Sequence, residues 1–257
     1  MKTLLQKLFL ISVYLFLYIP IIVLIVYSVN KARFSLQWQG FSTQWYAELL
    51  HDRELWSAFT HSVLLGICAA VISTATGLFA CVQLFLRPKR KHQRRSLFAI
   101  LLLLIVIPDL VLGVALLLLF NIFAILLGFF SLLIAHITFC IPFVVLTINS
   151  RIHTLDPNLY YSALDLGATR TRALTSVLLP LLWPAVVSAL LLCFTLSFDD
   201  VIISYFVAGP DFNILPLTIY SLVRVGVTPE LNALCTFTFL LSMILVIVAY
   251  KLSRKSP

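Results

Sequence analysis

Residues 97–120 read L-F-A-I-L-L-L-L-I-V-I-P-D-L-V-L-G-V-A-L-L-L-L-F, and from Leu97 to Ser150 there is a single formal charge, Asp109, in 54 residues. A helix needs about 20 apolar residues to cross a bilayer, so this run alone holds two spans. The rest of the chain agrees. Its 257 residues are 61% hydrophobic and 11% charged, with a mean hydropathy of +1.07, whereas soluble domains run near half apolar and about a quarter charged. The composition dictates an all-α integral membrane protein. Apolar runs place six transmembrane helices at about 8–29, 61–86, 97–120, 129–150, 181–204 and 232–251, in a single transmembrane domain covering 1–257. Asn121 and Gly128 mark the turn between the third and fourth. The run after M-K-T-L-L-Q-K lacks a small-x-small cleavage pattern and reads as an uncleaved first span.

Charge sets the orientation. With both termini in the cytoplasm, 14 of the 18 Lys and Arg fall inside, six of them in R-P-K-R-K-H-Q-R-R-S (87–96). Only Lys31, Arg33, Arg53 and Arg224 fall elsewhere. The net charge of +8 is therefore the positive-inside bias of a membrane protein, not a nucleic-acid footprint. The acids run the other way: of ten, only Asp156 and Asp165 are cytoplasmic. That distribution suits a cationic substrate arriving from outside, although exposed loops also collect acids for solubility. Trp38, Trp45, Tyr46 and Trp56, between the first two spans, read as interfacial anchors or as a surface for an external partner. Gly66, Ala70 and Thr74 form one small-residue row on the second span, and Ala69, Ser73 and Gly77 form the next, the pattern that lets helix backbones approach closely in lipid. The five cysteines lie in apolar runs without CxxC spacing and read as small packing residues.

Residues 155–184 read L-D-P-N-L-Y-Y-S-A-L-D-L-G-A-T-R-T-R-A-L-T-S-V-L-L-P-L-L-W-P. Asp156 before Pro157 is a helix start, Gly167 interrupts that helix, and a second helical piece leads to Pro180 at the mouth of span five. A cytoplasmic helix–Gly–helix at about 155–180 is a device for receiving force from a soluble partner; by the residues alone it is equally an amphipathic connector. The spacing Ala163-x3-Gly167-x9-Val177-x-Leu179-Pro180 resembles the EAA signature of ABC-importer permeases, E-A-A-x3-G-x9-I-x-L-P, with Asp165 and Ala168 in the similar flank D-L-G-A. The signature's Glu and first Ala fall on Tyr161 and Ser162. In that family the loop docks into an ATPase subunit, and the resemblance implies the same for these residues. No Gly in the chain is followed by Lys, so a Walker A phosphate loop is missing. The chain reads as a non-catalytic subunit, binding no cofactor itself, with ATP and Mg used by partner ATPase subunits.

Asp199 and Asp200 adjoin in S-F-D-D-V-I-I-S-Y-F-V-A-G-P (197–210), behind 26 uncharged residues. Measured from Leu181 at 1.5 Å per residue, Asp199 lies about 27 Å along span five, near the outer boundary of the apolar core; from Leu97, Asp109 lies about 18 Å along span three. Pro108 before it invites a kink. Two readings stand. The acids end helices at the water interface and satisfy local hydrogen bonds, or they line a path for cations, as ionisable residues at depth commonly do. Phe198, Tyr205 and Tyr220 are near enough in sequence to offer aromatic faces to a cation. His136, in span four, reads as a hydrogen-bonded packing histidine.

The stretches around these acids, with I-L-P-L-T-I-Y-S-L-V-R-V-G-V-T-P-E-L-N-A-L (214–234), Y-I-P-I-I-V-L-I-V-Y-S-V-N (18–30) and H-I-T-F-C-I-P-F-V-V (136–145), resemble the second permease of spermidine/putrescine ABC importers, within the MetI-like binding-protein-dependent permeases. The resemblance implies a six-span MetI-like type I importer fold in the bacterial inner membrane. It also implies a homologous partner permease forming a heterodimer, two ATPase subunits, and a periplasmic polyamine-binding protein, with membrane lipid around the chain and no nucleic acid. A putrescine-selective or other cationic-substrate permease of this fold is the alternative, and an ion-coupled carrier a more distant one.

Overall fold

The computed structural model describes residues 2–32, 37–86, 91–156, 158–226 and 228–254. Arg33, three cations of the basic loop (Arg87, Lys89, Arg90), Pro157 and Lys255 lie outside the described residues. Apart from one isolated bridge, Asn30–Phe41, the regular structure among the described residues is helical. Its contacts group the chain into two compact units, residues 1–57 with 218–250, and residues 58–217 with 251–257.

In the first unit, α1 (Lys2–Tyr27) exposes apolar side chains around its whole circumference from Leu8 to Ile19. A helix apolar on every side is a membrane span. The loop behind it is built on buried Asn30, whose side chain donates to Gln37 O (2.8 Å) and accepts from Gln39 N (3.0 Å). Trp45 donates its indole N–H to Asn30 O (2.8 Å), and the Tyr46 hydroxyl lies 2.6 Å from Ser28 Oγ. These two aromatics fasten the loop to α2 (Gln44–His51). Asp52 caps the next helix, α3 (Arg53–Leu86), by accepting from Glu54 N (2.9 Å) and Leu55 N (3.1 Å). The sixth expected span falls on a helix that runs Pro229–Arg254.

The second unit is organised by α6 (Phe129–Thr154) against α9 (Leu179–Phe198), with Cys140, Val144, Ile148, Leu182, Ala189 and Cys193 buried between them. α3 joins this pair where the small rows predicted close approach. A Cβ on Gly77 would lie 2.5 Å from Val144, and one on Gly66 3.1 Å from the Phe194 ring. The rows thus serve packing within the chain.

Two expected spans are broken. Where one helix was expected over 97–120, α4 (Lys91–Val106) and α5 (Asp109–Ile122) meet at an angle of 103°. Pro108 has no N–H to donate to the Leu104 carbonyl one turn back, and the chain turns there; the distance of about 18 Å along a straight axis therefore does not locate Asp109. The span expected over 181–204 stops at Phe198 and resumes as the short α10 (Ile202–Val207). α5 and α10 pack side by side, closely enough that a Cβ on Gly113 would lie 2.9 Å from Phe206. Beyond α10, Gly209 passes the backbone of the α5–α6 loop, where a Cβ would come within 2.1 Å of Leu127 O. Among the described residues four helices are long and apolar enough to cross a membrane, and the bent α4–α5 pair is either a fifth span or a re-entrant loop.

Candidate functional site

The adjacent acids have different surroundings because a helix ends between them. Asp199 closes α9, its N–H bonded to Thr195 O (3.0 Å), and its residue is exposed. Asp200 turns inward, its side chain 7% exposed. It caps α10: Oδ1 accepts from Ile203 N (3.3 Å), and Oδ2 accepts from Ser204 N (2.8 Å) and from the Ser204 hydroxyl (2.8 Å). A carboxylate at a helix start satisfies amides that have no intrahelical partner. His136 of α6 completes the cluster, its Nε2 3.0 Å from Ser204 Oγ and 3.6 Å from Asp200 Oδ2, its Nδ1 2.6 Å from Ser197 Oγ. Since the Ser204 proton goes to Asp200, Ser204 Oγ can only accept from His136. In the neutral ring the hydrogen therefore sits on Nε2, and Nδ1 accepts from the Ser197 hydroxyl. Three elements (α6, α9 and α10) are tied by one fully hydrogen-bonded network.

Treating the two carboxylates alike does not describe this geometry. Asp200 is occupied by α10 and by His136, while the Asp199 carboxylate makes no hydrogen bond among the described residues and stays open. Asp109, at the first residue of α5, is half-buried at the 103° bend and within electrostatic reach of Asp200. Phe198 is buried, its ring edge-on to Phe59 and stacked on Phe194; it belongs to the packing. Tyr205 is 54% exposed beside Phe206. Tyr220 falls in the first unit, under the Arg224 guanidinium (4.6 Å to the ring centroid), with its hydroxyl accepting from Arg224 Nη2 (2.6 Å). A ring already holding a cation is a poor face for a second one. The sequence reading assigned no role to Ser197 and Ser204; the Asp200-x3-Ser204 spacing, a capping acid followed one turn later by a hydroxyl, is the signal that marks them.

The segment over 155–180 is a helix, a glycine turn and a second helical piece. Asp156 accepts from Asn158 N (2.9 Å) ahead of α7 (Asn158–Asp165). That helix ends in a Schellman turn: Gly167 has φ +86°, its N–H reaches Leu164 O (2.9 Å), and Ala168 N reaches Ala163 O (3.0 Å). Thr169 then caps α8 (Arg170–Ala173), accepting from Arg172 N (3.3 Å). A π turn over Leu174–Leu178 follows, in which Leu179 N–H reaches back to Leu174 O, and Pro180 sits in the first turn of α9. Proline there forfeits one helical bond, and the wide turn in front of it absorbs the mismatch. Val177 and Leu179 are half-buried. α7 rests on the end of α3 through buried Tyr160, edge-on to Phe85 at 5.8 Å. Its other side shows Leu159, Tyr161, Ser162 and Asp165 to the surroundings, and Leu166 at the turn is 89% exposed.

This chain belongs to the family described as binding-protein-dependent transport system inner membrane component, which matches residues 74–256. It is 44% identical over 246 residues to the spermidine/putrescine transport system permease protein PotC of Escherichia coli (strain K12), covering 96% of this chain and 92% of that one. The Haemophilus influenzae protein of the same name is 44% identical over 252 residues, with 98% and 97% covered. The putrescine transport system permease protein PotI of Escherichia coli (strain K12) is 40% identical over 227 residues, with 86% and 80% covered. In fold, the chain is similar to a bacterial alginate ABC transporter solved with an alginate pentasaccharide-bound periplasmic protein, at TM-score 0.77 and 17% identity, covering 99% of this chain and 95% of that one. It is also similar to the MetNI methionine ABC transporter, at TM-score 0.64 and 18% identity, covering 82% and 98%. The chain is an all-α, MetI-like permease subunit of an ABC transporter and is not itself catalytic.

Proposed function

We propose that this chain forms half of the translocation pathway of an ATP-driven polyamine importer, in the bacterial inner membrane with both termini cytoplasmic. Its partners in this reading are a homologous permease, two ATPase subunits and a periplasmic binding protein that delivers the amine. Near-full-length similarity to spermidine/putrescine permeases supports the substrate class. The observation that carries the site is that Asp109 and Asp199 stand at the two helix breaks inside apolar sequence, Asp199 closing α9 and Asp109 opening α5. A helix C-terminus presents unpaired carbonyls and a partial negative charge. Adding a carboxylate to the end of α9 makes a station suited to an ammonium group, and Asp109, which opens α5 three residues past the end of α4, supplies a second negative charge at the other break. A polyamine, with a pKa near that of Lys at about 10, arrives carrying several. Broken helices at membrane depth serve cations in this way where they line a cavity. Asp200 and His136 hold the α9–α10 break open by satisfying the new helix start. Tyr205 is the exposed aromatic face nearest the pair in sequence, the adjacent Phe198 being buried.

ATP binding closes the ATPase pair; the α7–Gly167–α8 turn moves with it, and its rigid hydrogen bonding passes the displacement to α9 and, through Tyr160 and Phe85, to α3. Tyr161 and Leu166 give the docking surface an apolar character where the family signature has Glu at position 161.

The test is uptake by the assembled complex in vesicles. Labelled spermidine should be taken up with ATP, competed by putrescine but not by a neutral amino acid, and reduced at least about tenfold by Asp109→Asn or Asp199→Asn, the loss of one charge-assisted contact of about 1.5–3 kcal/mol. Putrescine competing far better than spermidine moves the reading to a putrescine permease, the class of the 40% identical relative. Full uptake in both variants makes the two acids structural.

A further inference from the structure

We infer that a cleft between α3, α4 and α6 binds an anionic phospholipid of the cytoplasmic leaflet; this rests on the orientation proposed above and not on the transported substrate. The cleft has two parts that meet at Leu84. The first, of ≈ 310 Å³, is lined by Arg94, Asn149, His153 and Tyr161 against Leu84 and Phe85. The second, of ≈ 360 Å³, shares Leu84 and is lined by Leu97, Leu101, Ile141 and Val145.

The sequence lays this out helix by helix. On α6, Ile141, Val145, Asn149 and His153 are four residues apart and form one stripe, about 18 Å long at 1.5 Å per residue, apolar at its deep end and polar at its cytoplasmic end. On α4, which runs the opposite way, Arg94, Leu97 and Leu101 form the matching stripe with its cation at the same cytoplasmic end. The groove is therefore amphipathic along the membrane normal: a polar mouth, then an apolar trough.

Arg94 is the informative residue. Its guanidinium donates to Asn149 Oδ1 (3.5 Å), contacts His153 Nε2 and lies 5.7 Å from the Phe98 ring centroid. Among the described residues no carboxylate lies within ion-pairing distance of it. A half-buried Arg beside a His, with no acid and a planar fork of donors open to the cleft, matches a phosphodiester. Basic pockets between spans on the cytoplasmic side are suited to anionic headgroups. A free phosphate would use the mouth alone and leave the Leu97–Val145 trough unexplained, whereas a phospholipid fills both parts with one molecule. Because Tyr161 of α7 lines the same mouth, the bound lipid would brace the coupling helix.

The experiment reads retained lipid by native mass spectrometry on the assembled transporter, exchanged into mixed micelles of phosphatidylglycerol and phosphatidylcholine. Selective retention of phosphatidylglycerol is expected, unaffected by excess inorganic phosphate. It should weaken at least about tenfold with Arg94→Gln, as loss of a charge-assisted bond implies, less with Arg94→Lys, and clearly with the trough-filling Leu97→Trp. Equal retention of the two lipids, displacement by inorganic phosphate, or retention of neither by the wild-type complex overturns the inference. Selectivity and phosphate competition are both read on the wild type, so a variant that fails to assemble does not remove the test.

Discussion

Replacing Asp200 with Ala removes three hydrogen bonds at once: those from Ile203 N, Ser204 N and the Ser204 hydroxyl. The hydroxyl can rotate, but the two amides face a protein interior. Loss of a helix cap costs about 0.5–2 kcal/mol, and a buried donor left unpaired about 1–3 kcal/mol. Asp200→Ala should therefore destabilise by about 3 kcal/mol, a fall of about 10 °C in the unfolding midpoint of a domain this size. Asp200→Asn should fall between, because the amide oxygen in the place of Oδ2 can accept both Ser204 donors while its NH2, in the place of Oδ1, faces the Ile203 amide. Asp199→Ala is the control one residue away. Its exposed carboxylate holds no hydrogen bond among the described residues, so its midpoint should stay within the range of ordinary surface changes, about 0.5 kcal/mol, while uptake of polyamine falls. The assay is thermal unfolding of the purified complex, followed by intrinsic fluorescence, alongside vesicle uptake for the same three variants. A wild-type midpoint for Asp200→Ala, or an equal loss of stability for Asp199→Ala, would refute the division of roles between the neighbours.

Two further outcomes follow from backbone geometry. Gly167 at φ +86° with nothing near an added Cβ should tolerate Asn, which visits that region, but Gly167→Val should cost about 1–2 kcal/mol locally and reduce copurification of the ATPase; undiminished copurification and ATP-driven uptake would show that the turn does not couple. Gly209→Ala forces a methyl group against the Leu127 carbonyl, 2.1 Å away, and since backbone cannot swing aside as a side chain can, the midpoint should fall by the equivalent of about 1–3 kcal/mol; an unchanged midpoint would mean the α5–α6 loop is not held there.

The parts that were legible in the sequence are those written in composition or in local backbone demands. Apolar runs gave α1, α3, α6, α9 and the helix over Pro229–Arg254 nearly in place. Small rows at 66–77 announced the close approach of α3, and Gly167 announced the turn that ends α7. Hydropathy failed where a helix stops without leaving apolar sequence. Val201, Ile202 and Ile203 look like a continuation of span five, and nothing in their hydrophobicity reveals that Asp200 starts a new helix. The stop is encoded in a side chain accepting two amides, which a window average cannot register. Pro108 signalled a kink, but its size of 103° depends on α5 finding α10 as a packing partner, and that contact joins residues about ninety positions apart. Gly113 and Gly209 are small for the same distant reasons.

Both interrupted helices end in apolar sequence, and that has an energetic consequence for what the acids can be doing. The last carbonyls of a helix have no intrahelical partners, and each left unsatisfied in hydrocarbon costs several kcal/mol. Thr195 O is served by the Asp199 amide, but the carbonyls after it, like those at the end of α4, need donors from elsewhere. Hydrocarbon supplies none, so these helix ends must face protein or water. An exposed Asp199, when ionised, adds a negative charge to the same place, which protein walls without cations stabilise poorly. Water relieves both demands at rest, and an ammonium group relieves them better, donating up to three hydrogen bonds while cancelling the charge. The breaks at Pro108 and Asp199 are thus costly in any structure that leaves them dry and inexpensive in one that passes cations between them.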